Sequence, residues 1–533
     1  MRASNRPRSS HSVRPTGPGW RRLEREKEQL SRDNERLRRK LIEKEQQLKR
    51  AEEQLADAEE QLADAEQQIA DAGKQITDLE RKLALRRQNS TTSSKPPSSD
   101  GLAGEPRPRG SQRKKSRCKP GGQPGHSGHW RGLVPASRVN QVIELFPARC
   151  RHCDSRFDGD SGKASTQGEP RRHQVTELPQ LEAEITEYQC QRVVCRQCGK
   201  TTQAELPPEV QGHFGSELTA LIAYLTVVCR MPRRVVQELL EQVLGIPLSL
   251  GSIQNSWEEA SQAVAEPCAE LERQLPHEPV LNSDETGYRT NGEKRWLWVL
   301  VATNFVFYRI AVSRGAEVLV QLLGAAFAGI LCSDRLMTYL KYHPGEGQFC
   351  WAHFKRNILG VLQIAKTTET ERFCRDLLAL QARLFRLWHR FRAGPGSRYG
   401  PITRQELILK SIPLEKKFFA LALGHLDSRD KDVRNLATAL CLHFEKFFTF
   451  LDKEGVEPTN NAAERALRCA VQWRKISFGS RSPKGQVAVA RLLTVARTCR
   501  MQNHSSLAYL GHAIQLHRKR QAAPSLLKPA PTT

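Results

Sequence analysis

Two pairs of cysteines and three widely separated acids are the side chains of this 533-residue sequence best suited to hold metal ions. The cysteine pairs are CRHC and CRQC, which contain Cys150 with Cys153 and Cys195 with Cys198. Two such knuckles supply four thiolates for tetrahedral Zn²⁺, and a closed four-sulfur site is structural rather than catalytic. The pattern predicts a zinc ribbon over residues 146–206. The alternative is two unrelated thiol pairs.

The three acids are Asp284, Asp334 and Glu464, and each stands where an element of secondary structure is expected to begin or end. Asp284 follows the apolar residues of a strand in PVLNSDETGY, and Asp334 ends a strand in GILCSD. Glu464 comes early in a helix that begins after EPTN. Carboxylates are ligands that Mg²⁺ prefers, and a pair of these ions can promote phosphodiester cleavage. One such acid alone is usually solvated or capping, so the magnesium prediction rests on their joint placement.

The segments around the first two acids indicate an α/β sheet. RWLWVLVAT and FVFYRIAVS suit two further strands, RGAEVLVQLLGAAF has helical spacing, and GILCS suits a fourth strand. This order is typical of the opening of an RNase H-like fold, in which the first and fourth strands are neighbours. Because adjacent strands lie about 4.8 Å apart, Asp284 and Asp334 could hold the same metals. Glu285 should point to the opposite face of its strand, which favours Asp284 as the ligand.

Helical spacing dominates residues 207–275, ahead of this sheet. PRRVVQELLEQVLG predicts a helix that ends at Gly245, and a second helix is expected to open near Ser249. The pair fits a helix-turn-helix whose second helix enters the major groove of DNA. The alternative is an ordinary helical hairpin in a core.

A seven-residue repeat runs through residues 20–87 and is visible in AEEQLADAEEQLADAEQQIADAGKQITD. It puts Leu or Ile at each a position from Leu41 to Leu83, and Asn34 at an earlier a position. This is a coiled-coil seam, and a buried Asn favours a single register, typically that of a parallel dimer. An isolated solvated helix, the alternative, needs no such stripe. Small residues at the d positions and Gly73 weaken the seam. We therefore expect the coiled coil to assemble when DNA holds two copies of the chain close together.

Basic segments without apolar periodicity separate or end these regions. Residues 88–145 are rich in Ser, Pro, Gly, Lys and Arg, and such a composition cannot bury enough surface to offset its ordering entropy. We expect a flexible basic linker there, which either follows DNA phosphates or is a tether without contacts of its own. Residues 1–19 are expected to be a disordered basic N-terminus, and residues 513–533 a basic tail.

The charge of the chain indicates a polyanionic partner. Its 83 Lys and Arg residues outnumber 58 Asp and Glu residues, for a net charge of +25, and such cations release counterions when they bind phosphates. DNA, RNA and an anionic membrane surface all qualify. Apolar stretches fall short of the roughly 20 residues that span a bilayer, and no secretory signal is expected. CxxC pairs suit a reducing compartment, so we expect a cytoplasmic protein that associates with the nucleoid.

Longer motifs resemble the insertion-sequence-66 family of bacterial DDE transposases over nearly the full length of the chain. They are SSKPPSSDG, KPGGQPGHSGH, both CxxC pairs, SDETGYR, RWLWV, SRG, GILCSDRLMTY, QFCWAHFKRN and TNNAAERALR with WRKISFGSRS. The resemblance implies an RNase H-like core in two parts, 276–345 and 456–512, which contains the three acids. A mainly helical insertion, 346–455, separates the parts. Many relatives carry Asp where this chain has Thr459, and an aromatic residue where it has Leu336. Neither difference removes a proposed ligand.

The resemblance further implies a transposase that binds the ends of its element, cleaves at the 3′ ends and joins them to target DNA. Two Mg²⁺ or Mn²⁺ ions would be the cofactors, with Asp284 bridging them and Asp334 and Glu464 each completing one side. Double-stranded DNA, a second copy of the chain and accessory transposition proteins are the expected partners. We expect contacts to the DNA backbone from His353, Lys355, Arg356, Arg468, Arg474 and Lys475, each of which could instead be a solvated or core residue.

Two rival functions remain compatible with the sequence. A non-catalytic DNA-binding regulator needs only the coil, the zinc ribbon and the helix-turn-helix, and its acids would be structural. An RNase H-like nuclease without strand transfer would share the three acids.

Overall fold

The computed structural model describes residues 18–87, 132–157, 168–178, 181–210, 212–393 and 400–527. The chain divides into two compact units, Met1–Gln88 and Asn89–Thr533. The predictions made for residues 1–17, 88–131 and 528–533 lie outside the described residues.

The first unit is a single long helix, α1, which spans Pro18–Arg87. Glu, Gln, Leu, Arg and Ala dominate its sequence, and all are strong helix formers. The Leu and Ile side chains at the a positions are exposed, with Leu48 at 61% and Leu62 at 62%. The helix that a coiled coil requires is therefore present, and its partner stays a prediction.

Short elements form the start of the second unit. Strands β1, Arg192–Val194, and β2, Thr201–Gln203, pair as an antiparallel hairpin. Many apolar side chains of this segment are exposed, such as Ile185 at 89%. The described part of residues 132–210 is therefore held by local turns and hairpins rather than by an apolar core.

Four helices follow: α2, Ser216–Val227; α3, Arg233–Leu244; α4, Leu250–Ala263; and α5, Ala265–Gln274. α3 ends where the sequence predicts, because Gly245 adopts a left-handed φ of 66°. α4 begins where expected, with the Ser249 hydroxyl accepting the Ser252 N–H at 3.0 Å. α4 buries Ile253 and Trp257, whereas its first two residues, Leu250 and Gly251, are exposed.

A five-stranded mixed sheet follows, in the order β5-β4-β3-β6-β7. β3 to β5 form an antiparallel meander, and β6 and β7 run parallel to β3, so the first and fourth strands are neighbours, as expected. Asn291 and Gly292, with φ of 52° and 78°, form the tight turn between β3 and β4. The elements are β3, Val280–Thr290; β4, Glu293–Val301; β5, Val306–Ala311; α6, Ala316–Leu323; β6, Ile330–Ser333; α7, Met337–Tyr342; and β7, Gly347–Phe349.

β7 lies inside residues 346–455, which the sequence predicts to be a mainly helical insertion. The sheet therefore extends into that segment before its helices begin. The remaining helices are α8, Trp351–Gln363; α9, Thr368–Phe391; α10, Arg404–Leu423; α11, Lys431–Leu442; α12, Phe444–Asp452; α13, Asn461–Ser477; α14, Pro483–Met501; and α15, Ser506–Arg518.

Three apolar clusters hold these elements together. The largest contains strands β3 to β6 with helices α2, α4 to α7 and α13 to α15. The second contains α8 to α12, centred on Trp351, Phe354 and Phe447, and reaches the sheet at Cys332 and Phe349. The third joins α3 to α2 and α4. None of the helices in the described part of the chain has the length and apolar composition needed to cross a membrane.

Candidate active site between β3, β6 and α13

Strands β3 and β6 carry Asp284 and Asp334 to the same end of the sheet. Asn282 pairs with Cys332 at the end of the parallel ladder, and each acid lies two residues further along its chain. Both acids are half-buried. Asp334 Oδ1 accepts the Leu336 N–H at 3.0 Å, which holds its carboxylate in the turn that leads into α7.

Glu464 reaches the same region on α13. Asn460, the residue before this helix, is 1% exposed, and its Nδ2 donates to the Ser283 carbonyl at 2.7 Å. Ser283 precedes Asp284, so this amide ties the start of α13 directly to the strand that carries the first acid. Glu464 follows one turn later, with its N–H donating to the Asn460 carbonyl at 3.2 Å.

Asp334 and Glu464 lie close enough to Asp284 to affect its charge. Burial raises the pKa of Asp284 well above its usual value, and the negative charges of Glu285, Asp334 and Glu464 raise it further. A group of mutually repelling carboxylates is stabilised by a cation. Because its donors are oxygens, this group fits a hard divalent ion such as Mg²⁺.

Two side chains of α8 face Glu464. Arg356 Nη2 donates to Glu464 Oε1 at 3.2 Å, and His353 Nδ1 lies 3.4 Å from the same oxygen. Burial, followed by the charge of Arg356, lowers the pKa of His353, which keeps the imidazole neutral. Cys350, His353 and Glu464 offer ligand atoms that all lie within 4.8 Å of one another. The sequence assigned His353 and Arg356 to the DNA backbone, whereas here they contact the third acid.

Glu285 forms a second buried network behind Asp284, with partners that the sequence does not predict. Its side chain is 1% exposed, pairs with Arg314 at 2.7 Å and accepts a hydrogen bond from the Tyr339 hydroxyl. Burial raises the pKa of Glu285, and the bond from Tyr339 opposes that rise. The network joins β3 to the loop after β5 and to α7. The only sequence signal for Arg314 and Tyr339 is their position in the motifs SRG and DRLMTY.

The other four cations predicted to contact DNA differ in their surroundings. Arg474 is half-buried and donates to Thr286 Oγ1 on β3 at 3.2 Å. Lys355, Arg468 and Lys475 are exposed. These three side chains are therefore accessible to an anionic ligand, and Arg474 is part of the packing between α13 and the sheet.

The two CxxC pairs form turns of the same geometry. Cys150 donates its N–H to the Ser155 carbonyl and accepts the Asp154 N–H on its own carbonyl, both at 2.9 Å. In the second pair, Cys195 donates its N–H to the Lys200 carbonyl and accepts the Gly199 N–H on its own carbonyl, both at 2.8 Å. The φ angles of Asp154 and Gly199 are 57° and 70°. Each pair is thus shaped as a knuckle turn.

The charge state of the knuckles also suits a metal. A hydrogen bond with Ser155 lowers the pKa of Cys153, and the backbone N–H of Cys198 lowers that of Cys195, which favours the metal-binding thiolates. Among the described residues, however, no three of the four thiols lie within 4.8 Å of one another. The closed four-thiolate site therefore stays a prediction.

Comparison with known proteins identifies the region that contains the three acids. Residues 211–488 match the family described as "Transposase IS66 family", and residues 16–132 match a family of unknown function (DUF6444). Uncharacterized protein y4qI of Sinorhizobium fredii (strain NBRC 101917 / NGR234) is 27% identical over 42% of this chain and 43% of its own length. The chain thus spans less than half of y4qI. Uncharacterized protein y4hP of the same strain is 25% identical over 72% of this chain and 73% of its own length. The match to the transposase family covers more than half of the chain and includes β3, β6 and α13. The protein therefore belongs to the IS66 family of transposases.

Proposed function

We propose that this protein is a DNA transposase in which Asp284, Asp334 and Glu464 hold divalent ions for DNA cleavage and strand transfer. The observation that supports the proposal is that β3 and β6 pair in parallel next to Asp284 and Asp334. Asn460, which precedes the helix of Glu464, also donates a hydrogen bond to the Ser283 carbonyl on β3. The strand order supports an RNase H-like core, since β3 to β5 are antiparallel and β6 and β7 are parallel to β3.

The proposed reaction has two steps at phosphorus. Water attacks a phosphodiester at the end of the element, the bond to the 3′-oxygen breaks, and a 3′-hydroxyl is released. That hydroxyl then attacks a phosphodiester of the target, so that one phosphodiester forms as another breaks and no external energy source is needed. Two bound Mg²⁺ or Mn²⁺ ions would activate the attacking oxygen and stabilise the leaving one.

The neighbours of the acids have supporting roles in this proposal. Arg356 holds the Glu464 carboxylate while no cation is bound, with His353 packed against the same oxygen, and Arg356 must give up part of its contact with Oε1 when a cation arrives. The Glu285 network keeps β3 and the turn after β6 in a fixed relation. Neither group of residues needs to touch DNA to support the reaction, because each positions a carboxylate.

We also propose DNA-binding and assembly roles for the preceding regions. The zinc ribbon of residues 146–206 and the helical region of residues 207–275 would bind double-stranded element ends. α1 would join two copies through its exposed Leu stripe, and accessory transposition proteins are a further class of partner. The matched knuckle turns support zinc binding, since both present thiols in the same local geometry.

The test is Mg²⁺-dependent nicking of a labelled duplex that carries an element end. Asp284→Asn should abolish nicking and leave the gel mobility shift of the same duplex unchanged, because the change removes one ligand charge and keeps the side-chain shape. Asp427→Asn is the matched control, since Asp427 is exposed on the helical insertion.

Three outcomes would contradict parts of the proposal. Full nicking by Asp284→Asn would refute the assignment of the acids. DNA binding without metal-dependent cleavage by the unaltered chain would favour a non-catalytic regulator. Cleavage without joined products, in the presence of target DNA, would favour a nuclease that lacks strand transfer.

A further inference from the structure

Two arginines from distant parts of the chain converge on one sulfur of the helix that carries Glu464. Cys469 lies on α13, five residues after Glu464. Arg230, from the connection between α2 and α3, directs Nη2 to Cys469 Sγ at 3.5 Å. Arg497, from α14, directs Nη1 to the same Sγ at 3.4 Å. The two guanidinium groups therefore face each other across one thiol, and all three side chains are half-buried.

The positive charge at this point is not balanced by the protein. The Nε atoms of Arg230 and Arg497 are buried without a hydrogen-bond partner, and neither arginine pairs with a carboxylate within the described ranges. A thiol is only a weak acceptor. The Tyr308 hydroxyl hydrogen-bonds with Arg497 and donates to the Ala466 carbonyl at 2.7 Å, but burial raises the pKa of Tyr308, so this phenol brings no negative charge. An anion from outside the chain would satisfy both guanidinium groups.

The backbone of Arg230 is a second, independent sign of a specific role. Its φ is 60°, in the left-handed region that favours glycine. The Met231 N–H donates to the Leu225 carbonyl, six residues back, at 3.0 Å, so the chain turns back over the end of α2 through this left-handed residue. An arginine there accepts backbone strain, and strain of this kind is concentrated at functional sites.

We infer that Arg230 and Arg497 form a phosphate-binding site whose ligand is a backbone phosphodiester of DNA. The planar fork of a guanidinium matches phosphate oxygens, and two forks from different elements can hold one phosphate from two sides. The choice of DNA as the ligand rests on the proposed function. Since Arg230 belongs to the helical region and Cys469 to the helix of Glu464, a phosphate held here connects DNA binding to the position of the catalytic helix.

Arg230→Gly is a sharp test because it removes the guanidinium and relieves the backbone strain. The variant should keep or raise the thermal unfolding temperature and bind a short duplex about tenfold more weakly. The slope of log affinity against log salt concentration should become less negative by about 0.9, the value for one lost phosphate contact. Arg497→Gln should show the same loss. Arg500→Gln, an exposed arginine on the same helix, is the matched control and should change both quantities less.

Alkylation of Cys469 with iodoacetamide distinguishes a DNA phosphate from free inorganic phosphate as the ligand. The reaction is run without divalent metal and followed by mass spectrometry. DNA should slow the modification at concentrations where an equal amount of inorganic phosphate does not. Equal protection by inorganic phosphate would overturn DNA as the ligand. Unchanged affinity and salt dependence in both variants would overturn the site itself. These measurements require no cleavage, so a failure of the proposed enzymatic function would appear separately, as absent nicking with an intact salt response.

Discussion

The acidic site and the cysteine knuckles are two candidate metal centres that the fold treats differently. Asp284, Asp334 and Glu464 lie on elements joined by strand pairing, a buried amide and a large apolar core. The two knuckles have well-formed local turns, but they lie in a segment with exposed apolar side chains. Neither the three acids nor any three of the four thiols lie within 4.8 Å of one another among the described residues. The difference is that an apolar core fixes the elements that carry the acids, whereas an open segment leaves the approach of its ligands to the metal itself.

The largest expected effect is the loss of the zinc site from the open segment. Cys153→Ser should remove bound Zn²⁺, from one ion per chain to none, because a closed structural site needs all four thiolates. Trypsin should then cleave within residues 132–210 far faster, whereas the thermal transition of the sheet stays unchanged. Zinc content by elemental analysis and limited proteolysis measure this.

Cys441→Ser, a half-buried thiol in the helical insertion, is the control for that prediction. If the sheet unfolds together with the knuckles when zinc is removed, the two centres are coupled and the contrast between them is wrong.

A smaller effect is expected when the support behind the acidic site is removed. Glu285→Ala breaks a buried ion pair and should lower the free energy of unfolding by about 2 kcal/mol, below the usual range for buried pairs because Arg314 is 40% exposed. Chemical denaturation measures the loss. Glu293→Ala is the control, since its 2.6 Å pair with Arg295 is at the surface and should contribute less than about 0.5 kcal/mol. Equal losses in the two variants would contradict the positioning role of Glu285.

The charge of Asp284 should cost stability when no metal is bound. Its folded pKa lies above the unfolded value, so the ionised carboxylate destabilises the fold at all pH values above the folded pKa. This cost disappears as the pH falls to the unfolded value. Asp284→Asn should therefore raise the unfolding temperature at neutral pH in EDTA, and the gain should vanish in acid or when Mg²⁺ is added to both proteins. A gain that is independent of pH would show that the effect is not electrostatic.

The smallest expected effect concerns the competition between Arg356 and a cation for Glu464. Arg356→Gln removes a partly exposed ion pair of 3.2 Å, so metal should bind about two- to fivefold more tightly. Titration with Mn²⁺, followed by electron paramagnetic resonance of the free ion, measures the affinity without any need for turnover. Lys355→Gln, the exposed neighbour, is the control. Weaker binding in Arg356→Gln would show that Arg356 orients Glu464 for the metal rather than competing with it.

Local patterns were sufficient for several features of this protein. The order of apolar segments predicted that β3 and β6 would be neighbours, and Gly245 and Ser249 marked the end of α3 and the start of α4. β7 could not be predicted in this way, because a strand of three residues shows no usable periodicity. The contacts of His353 and Arg356 were also missed, since basic residues in a motif do not reveal which way their helix faces.

The sequence by itself determined the long heptad helix and the two knuckle turns, because each depends on spacing within one short segment. Only the tertiary structure decided that Arg356 and His353 meet Glu464, that Glu285 joins Arg314 and Tyr339, and that Arg230 and Arg497 converge on Cys469. The physical reason is that these contacts join side chains far apart in the chain, and their geometry is set by how helices pack against the sheet.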